Sequence, residues 1–236
     1  MRRIVDKNFF TRRNTVALAR WLIGKHLVRR WPDGREEARM ITETEAYHGE
    51  SDLACHARAG RTRRTEVMYG AGGIWYVYLC YGIHEMLNLV VGPRDWPAAV
   101  LIRGVEGAPG PGRVTKTLGI DRLLNATAAH ADSGLWIEDW GVRVDRSLLQ
   151  VTPRVGIDYA GPIWAAKPWR FVLLAPNRGP TAKPAESPRG RLSPGSGPRS
   201  RRAAASAPPA PAAPKSPDPS GRTAARTGSR SRPQGG

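Results

Sequence analysis

Cysteine is scarce in this sequence, which holds two among 236 residues, Cys55 and Cys80. A single separated pair lacks the close spacing of a cysteine-based metal site, and two cysteines are too few for a disulfide framework. The sequence therefore predicts no metal site and excludes the class of small domains that disulfides hold together.

Long apolar runs are also missing. No stretch approaches the roughly 18 residues that a membrane-spanning helix needs, and the opening residues MRRIVDK lack the apolar core of a secretory signal. We therefore expect no membrane partner and a cytoplasmic location, associated with the nucleoid if the source is bacterial.

Large apolar side chains almost vanish from residue 176 onward, where Pro, Ala, Ser, Gly and Arg dominate. Such a segment cannot bury enough surface to offset the entropy lost on ordering. The composition predicts one folded domain over residues 1–175, followed by a disordered basic tail over residues 176–236.

Positive charge is what the sequence has in excess, with a formal net charge of +17. Residues 177–236 carry 12 Lys and Arg against 2 Asp and Glu, whereas residues 1–176 carry 25 against 18. The folded part is therefore basic without help from the tail. A basic domain favours phosphate backbones, anionic membrane surfaces or acidic partners.

The order of predicted elements indicates an α/β (α+β) domain built mostly on antiparallel strands. Asn14 is placed to cap a helix over residues 15–25. Most strands follow turns rather than long helices, which favours antiparallel pairing, and Tyr81 falls at the tip of one hairpin. The predicted strands cover residues 26–31, 35–47, 74–81, 86–91, 98–103, 135–140 and 142–148, with a short helix over residues 113–118.

The most informative stretch runs from residue 41 to residue 88 and combines carboxylates, a histidine, tyrosines and arginines. Glu43, Glu45 and Tyr47 share one face of the predicted strand, since side chains alternate along it. Carboxylates can do acid–base chemistry, aromatic faces can hold a flat base, and arginines can hold phosphates. The residues alone do not choose between Glu43 and Glu45, and a solvated strand carboxylate remains the alternative for each.

Several motifs in order resemble the alkyladenine (3-methyladenine) DNA glycosylase family over about residues 9–172. They are ETEAY at 43–47, His56, YVYLCYG at 76–82, Asn88, VLIR at 100–103, GPG at 110–112, RVG at 154–156 and KPWRF at 167–171. The resemblance implies a single domain around a curved antiparallel sheet with flanking helices. It also implies a monomeric enzyme that excises alkylated bases from double-stranded DNA containing damaged purines, without metal or organic cofactor.

The same resemblance implies roles for individual residues. Glu45 matches the general base, Arg103 an arginine near the attacking water and a DNA phosphate, and Val155 a position whose carbonyl holds that water. Tyr81 matches a wedge that fills the gap left by a flipped nucleotide. The residues that match the walls of the base pocket are Tyr47, His56, Tyr78 and Asn88.

Two further expectations come from the residues themselves. Arg58, Arg61, Arg63 and Arg64 are candidates for phosphate contacts that weaken with salt. No lysine lies within the motifs around Glu45, so water is the expected nucleophile and a monofunctional glycosylase the expected enzyme. The competing hypotheses are a non-catalytic nucleic-acid-binding module on the same fold and a hydrolase or transferase of small nucleosides.

Overall fold

The fold is a single open β-sheet with antiparallel pairing throughout, as a computed structural model of residues 2–174 shows. Along its main path the strands follow the order β1-β8-β2-β3-β6-β5-β4, with β10 added beside β3, β9 beside β10 and β7 beside β6. The strands are β1 (Arg3–Ile4), β2 (His26–Arg30), β3 (Glu36–His48), β4 (Trp75–Cys80), β5 (His84–Val91), β6 (Ala98–Val105), β7 (Ala108–Pro109), β8 (Leu135–Asp139), β9 (Leu149–Thr152) and β10 (Arg170–Leu173).

Within residues 2–174, three short α-helices accompany the sheet: α1 (Thr15–Leu22), α2 (Pro111–Thr117) and α3 (Gly161–Ala165). The Asn14 side chain caps α1 as predicted, accepting a 3.0 Å hydrogen bond from the Ala17 N–H. α1 ends before residue 25 because Gly24 takes a φ of +83° and the chain there begins to pair with Ile41. The predicted mixed α/β, antiparallel architecture is therefore confirmed.

β3 is the longest strand, and it changes partners along its length. Its first part pairs with β2, and its second part pairs with β6 on one edge and with β10 on the other. Glu45 is opposite Leu101 of β6 and Arg170 of β10. The backbone of Glu45 is therefore fixed by neighbouring strands on both sides.

The main core lies on the face of β3 opposite to Glu45. Ala46 is fully buried there, and the Thr44 hydroxyl donates a 2.8 Å hydrogen bond to the Ala19 carbonyl of α1. The alternation expected along this strand is confirmed.

One predicted strand is wrong, the strand over residues 142–148. Most of this segment is exposed, and a 3₁₀ turn spans Arg146–Leu148. The Asp145 side chain accepts a 2.9 Å hydrogen bond from the Ser147 N–H, which bends the backbone away from an extended path. The strand starts instead at Leu149, where β9 pairs with β10.

The expected tail, residues 176–236, lies outside the described residues. Within residues 2–174, no helix combines the length and the apolar character needed to cross a membrane.

Candidate active site

Glu45 is a buried carboxylate in the middle of the sheet, with 1% of its surface exposed. Its Oε2 accepts a 2.8 Å hydrogen bond from the Tyr47 hydroxyl, and its Oε1 accepts a 2.9 Å bond from the Val155 N–H. The Nε of Arg103 lies 3.4 Å from Oε1. A carboxylate has about four acceptor positions, so these contacts hold it in place and leave lone pairs for a water molecule.

The environment changes the basicity of Glu45. Burial raises the pKa of Glu45 above the usual carboxyl value, while Arg103 and the hydrogen bonds from Val155 and Tyr47 act in the opposite direction. The net result is a raised pKa, which makes the carboxylate a better proton acceptor than a solvated glutamate.

Glu43 lies on the same face but has different partners. Its Oε1 accepts a 2.6 Å hydrogen bond from the Arg170 Nε and lies 2.8 Å from the Arg103 Nε. The Arg103 Nε–H does not point at either carboxylate with hydrogen-bond geometry, so its contacts are ion pairs. Two guanidinium groups thus neutralise Glu43, which favours Glu45 as the carboxylate available for chemistry.

An aromatic cavity adjoins Glu45 through Tyr47, which belongs to its wall while Glu45 itself does not. Burial raises the pKa of Tyr47 well above the usual value, so its hydroxyl keeps its proton and serves as a donor to Glu45. Ten residues line the cavity: Tyr47, Ala54, Cys55, His56, Met68, Tyr76, Tyr78, Asn88, Ala99 and Tyr159. The four residues that the resemblance assigns to the pocket walls are among these ten, whereas Val155 is not.

His56 is held by aromatic neighbours inside this cavity. Its Nδ1 lies 3.0 Å from the Tyr76 hydroxyl, and its ring packs edge-on to Tyr78 at 4.7 Å between centroids. Burial, with the nearby charges of Arg64 and Arg58, lowers the pKa of His56 to about 4. The imidazole is therefore neutral at neutral pH, so its second nitrogen can take part in hydrogen bonding without adding a positive charge.

Asn88 forms the floor of the cavity from β5. It is almost fully buried, and its Nδ2 donates to the Tyr76 carbonyl at 3.3 Å and to the Met86 carbonyl at 3.5 Å. These bonds orient the amide group, leaving its carbonyl oxygen as the group available to a bound molecule.

Tyr81 stands at the tip of the β4–β5 hairpin, as predicted, and 92% of its surface is exposed. Tyr81 and Gly82 both have positive φ, +50° and +70°, and the Ile83 N–H donates to the Cys80 carbonyl at 3.1 Å. This is the pattern of a tight type I′ turn. Positive φ is uncommon for a residue with a Cβ, and such conformations cluster at functional sites.

The four predicted phosphate-binding arginines are all exposed, but they differ in their contacts. Arg61 forms ion pairs with Glu66 at 2.9 Å and Asp95 at 3.1 Å. The Arg64 guanidinium lies 5.1 Å from the centre of the Tyr78 ring, beside the cavity. Arg58 lies 4.8 Å from the Tyr159 ring and donates to the Leu53 carbonyl; Arg63 is exposed on the same loop.

Sequence reasoning gave no role to three residues that the structure places at the site, although one of them, Arg154, belongs to the RVG motif. Tyr159 lines the cavity, although 59% of its surface is exposed. Asp52 and Arg154 form a buried ion pair between the cavity wall and the Val155 loop. Arg154 carried a signal, because it directly precedes Val155, whereas Asp52 looks like an ordinary loop aspartate in the sequence.

Within residues 2–174, no group of three or more His, Cys, Asp and Glu side chains is arranged to hold a metal ion.

The sequence of the chain matches one known protein family. A model of the family described as Methylpurine-DNA glycosylase (MPG) matches residues 8–109 and 106–176. The chain belongs to the methylpurine-DNA glycosylase family. The match spans every residue of the candidate site, and it confirms the resemblance inferred from the sequence.

Individual relatives agree with this assignment. Proteins named "Putative 3-methyladenine DNA glycosylase" from Psychrobacter cryohalolentis and Anaeromyxobacter sp. (strain Fw109-5) are each 44% identical to this chain, over 195 and 171 residues. These alignments cover 70% of this chain and 89% and 86% of the relatives. A protein of the same name from Borreliella afzelii is 37% identical over 181 residues, covering 72% of this chain and 95% of the relative. The family match accordingly covers nearly all of residues 2–174, which the structure describes.

Proposed function

We propose that this chain is a monofunctional DNA glycosylase that flips alkylated or deaminated purines out of duplex DNA and hydrolyses their N-glycosidic bond, which initiates base excision repair. The observation that carries the proposal is the buried Glu45 carboxylate, held by Tyr47 and Val155 beside a cavity walled by aromatic rings. Family membership and the names of the relatives support the same reaction class.

The first step is recognition of a base that must leave the stack. A damaged base inside the duplex is out of reach of Glu45, so the nucleotide must rotate into the cavity. The exposed phenol of Tyr81 inserts from the minor groove into the gap that the flipped nucleotide leaves, and it opposes return of the base. Aromatic faces suit a flat purine, and a positively charged alkylated purine gains about 0.5–2 kcal/mol from cation–π contact.

The chemical step is hydrolysis of the bond between C1′ of the sugar and the base nitrogen. The base departs with the bonding electron pair, and positive charge develops on the sugar as in other glycosidic cleavage. Glu45 accepts a proton from water as the water oxygen bonds to C1′, and its negative charge opposes the developing positive charge. Arg103 holds the carboxylate in place and keeps its pKa from rising further.

The deciding experiment is base release from duplex DNA containing a single hypoxanthine or 3-methyladenine, or from bulk methylated DNA, followed by alkaline cleavage of abasic sites. We expect strand breaks with the wild-type protein and none above background with Glu45→Gln, although both bind the duplex. Folded wild-type protein that releases no base from any of these substrates would contradict the proposal and leave a non-catalytic DNA-binding module. Activity on free nucleosides that does not depend on Tyr81 would instead indicate a nucleoside hydrolase or transferase.

A further inference from the structure

Asp52 and Arg154 form a bidentate ion pair whose side chains are fully buried. The Nη1 of Arg154 donates to Asp52 Oδ2 at 2.6 Å and its Nη2 donates to Asp52 Oδ1 at 2.9 Å. Both side chains have no exposed surface. Burying two charges is costly, and apolar residues of similar size often give equal or greater stability. A fully buried pair beside a reactive site therefore points to a purpose other than stability.

The pair connects three segments of the chain that surround Glu45. Arg154 also donates from Nη1 to the Ala46 carbonyl of β3 at 2.8 Å and from Nη2 to the Trp164 carbonyl of α3 at 3.4 Å. Asp52 accepts hydrogen bonds of 3.0 Å from the backbone N–H groups of His48 and Ala54. The ion pair thus hydrogen-bonds to the end of β3 and to the cavity wall at Ala54, and it connects both to the loop before α3.

The ion pair lies beside the contacts of Glu45 in two separate segments of the chain. Val155, which follows Arg154, donates its N–H to Glu45 Oε1. Ala46, which follows Glu45, offers its carbonyl to Arg154. Residues 153–157 belong to no strand, so sheet pairing does not fix the direction of the Val155 N–H.

We propose that Asp52 and Arg154 are positioning residues for the glycosylase reaction, because they lock the loop that aligns the Val155 N–H with the Glu45 carboxylate. This inference rests on the proposed function. The Arg154 guanidinium also lies 4.8 Å from the centre of the Tyr47 ring and 5.1 Å from that of Trp169. The pair therefore supports both hydrogen-bond donors of Glu45. It holds Val155 because Arg154 is the preceding residue, and it holds Tyr47 because the guanidinium packs against the Tyr47 ring.

The test uses Arg154→Lys, which keeps the charge but loses the planar fork, and Asp52→Asn, which keeps an acceptor for one backbone N–H. Single-turnover release of bases from methylated duplex DNA is measured from acid to neutral pH. Loss of the Val155 hydrogen bond leaves the Glu45 carboxylate less stabilised, so the acid limb of the profile should move to higher pH. We also expect a rate loss on the order of 10- to 100-fold at neutral pH, since small misplacements of reacting groups have effects of this size.

The matched control is Asp139→Asn. Asp139 likewise pairs with a cation, Lys25 at 2.9 Å, and accepts a backbone hydrogen bond from Gly141, but it lies on β8 away from the cavity. This variant should lose thermal stability while keeping the acid limb of the wild-type enzyme. Folded Asp52→Asn and Arg154→Lys proteins with the wild-type acid limb would overturn the inference and leave the pair a purely structural role.

Val155→Pro tests the contact on which the inference depends if the pair variants fail to fold. Proline removes the N–H that donates to Glu45, and it displaces little buried packing because 46% of the Val155 surface is exposed. A shift of the acid limb to higher pH sustains the inference, whereas an unchanged acid limb in folded protein overturns it. Failure of the proposed function is distinguishable, because the wild-type protein would then release no base at any pH.

Discussion

The two halves of β3 contain similar residues in very different surroundings. In the first half, Glu37 and Arg39 form an ion pair whose side chains remain about one-third exposed, and the half pairs with β2. In the second half, Glu43 and Glu45 form ion pairs with Arg103, and all three side chains are less exposed than those of Glu37 and Arg39. Here β6 and β10 pair with the strand on its two edges. In this second half, burial raises the pKa of Glu45.

This comparison shows that residue type alone does not decide how deeply a glutamate is buried or how its pKa is shifted. Both halves offer glutamate and arginine, but water screens the first pair and adjacent strands exclude water from the second. The second half differs from the first in the pairing of β10 with its edge and in the contact of the Val155 N–H with Glu45. Substitutions made in parallel in the two halves should therefore have unequal effects.

The largest difference is expected between Glu45→Gln and Glu37→Gln. Removing the proton acceptor should lower the single-turnover rate by about 10²- to 10⁴-fold, the usual contribution of general acid–base catalysis. Glu37→Gln should leave the rate within about twofold of wild type, because its partner is a surface arginine. Equal effects on base release from methylated DNA would break the comparison.

A smaller difference is expected between Arg103→Gln and Arg39→Gln, read from pH–rate profiles. In the wild type, the rate should fall as pH drops through the raised pKa of Glu45, since only the ionised carboxylate accepts a proton. Arg103 opposes that rise, so its removal should move the acid limb to still higher pH and lower the neutral rate by roughly 10²-fold. Arg39→Gln serves as the control and should leave both unchanged.

Glu43→Gln should move the same acid limb slightly in the opposite direction. The negative charge of Glu43 contributes a small part of the raised pKa of Glu45, so removing it should favour the ionised form of Glu45 at lower pH. The amide oxygen can still accept the bond from Arg170 Nε. A shift to higher pH would mean instead that Arg103 had lost its position.

The smallest expected effect concerns stability in the first half of β3. Arg39→Gln should change the free energy of unfolding by less than about 1 kcal/mol, because the Arg39–Glu37 pair is partly solvated. Urea denaturation followed by circular dichroism measures this change. A larger loss would show that the first half depends on its ion pair more than its exposure indicates.

Local signals in the sequence were sufficient for much of the fold. Asn14 predicted the start of α1, and the turn residues around Gly82 predicted the exposed tip that carries Tyr81. The strand predicted over residues 142–148 was wrong because the apolar residues of this segment alternate as in a strand. The Asp145 side chain instead accepts a hydrogen bond from the Ser147 N–H, which favours a turn. Local patterns succeed where the deciding contact is a few residues away.

The site could be predicted only in part for the same reason. Family motifs indicated Glu45, Tyr47 and His56, but the roles of Asp52 and Arg154 depend on a contact between residues far apart in the sequence. Likewise, the Val155 loop reaches Glu45 and β10 pairs with β3 from far along the chain, and no spacing within residues 41–48 specifies these neighbours. Long-range pairing decides the electrostatics of the site.

The carboxylate and its amide donor therefore belong to parts of the protein with unequal resistance to opening. Glu45 is embedded in a ladder on both edges, whereas Val155 lies in a loop outside the strands. Regions without ladder bonds open at a lower free energy than the sheet that surrounds them. On warming, catalysis should fade before the strands melt, and amide protons at residues 154–157 should exchange with deuterium ahead of those in β3.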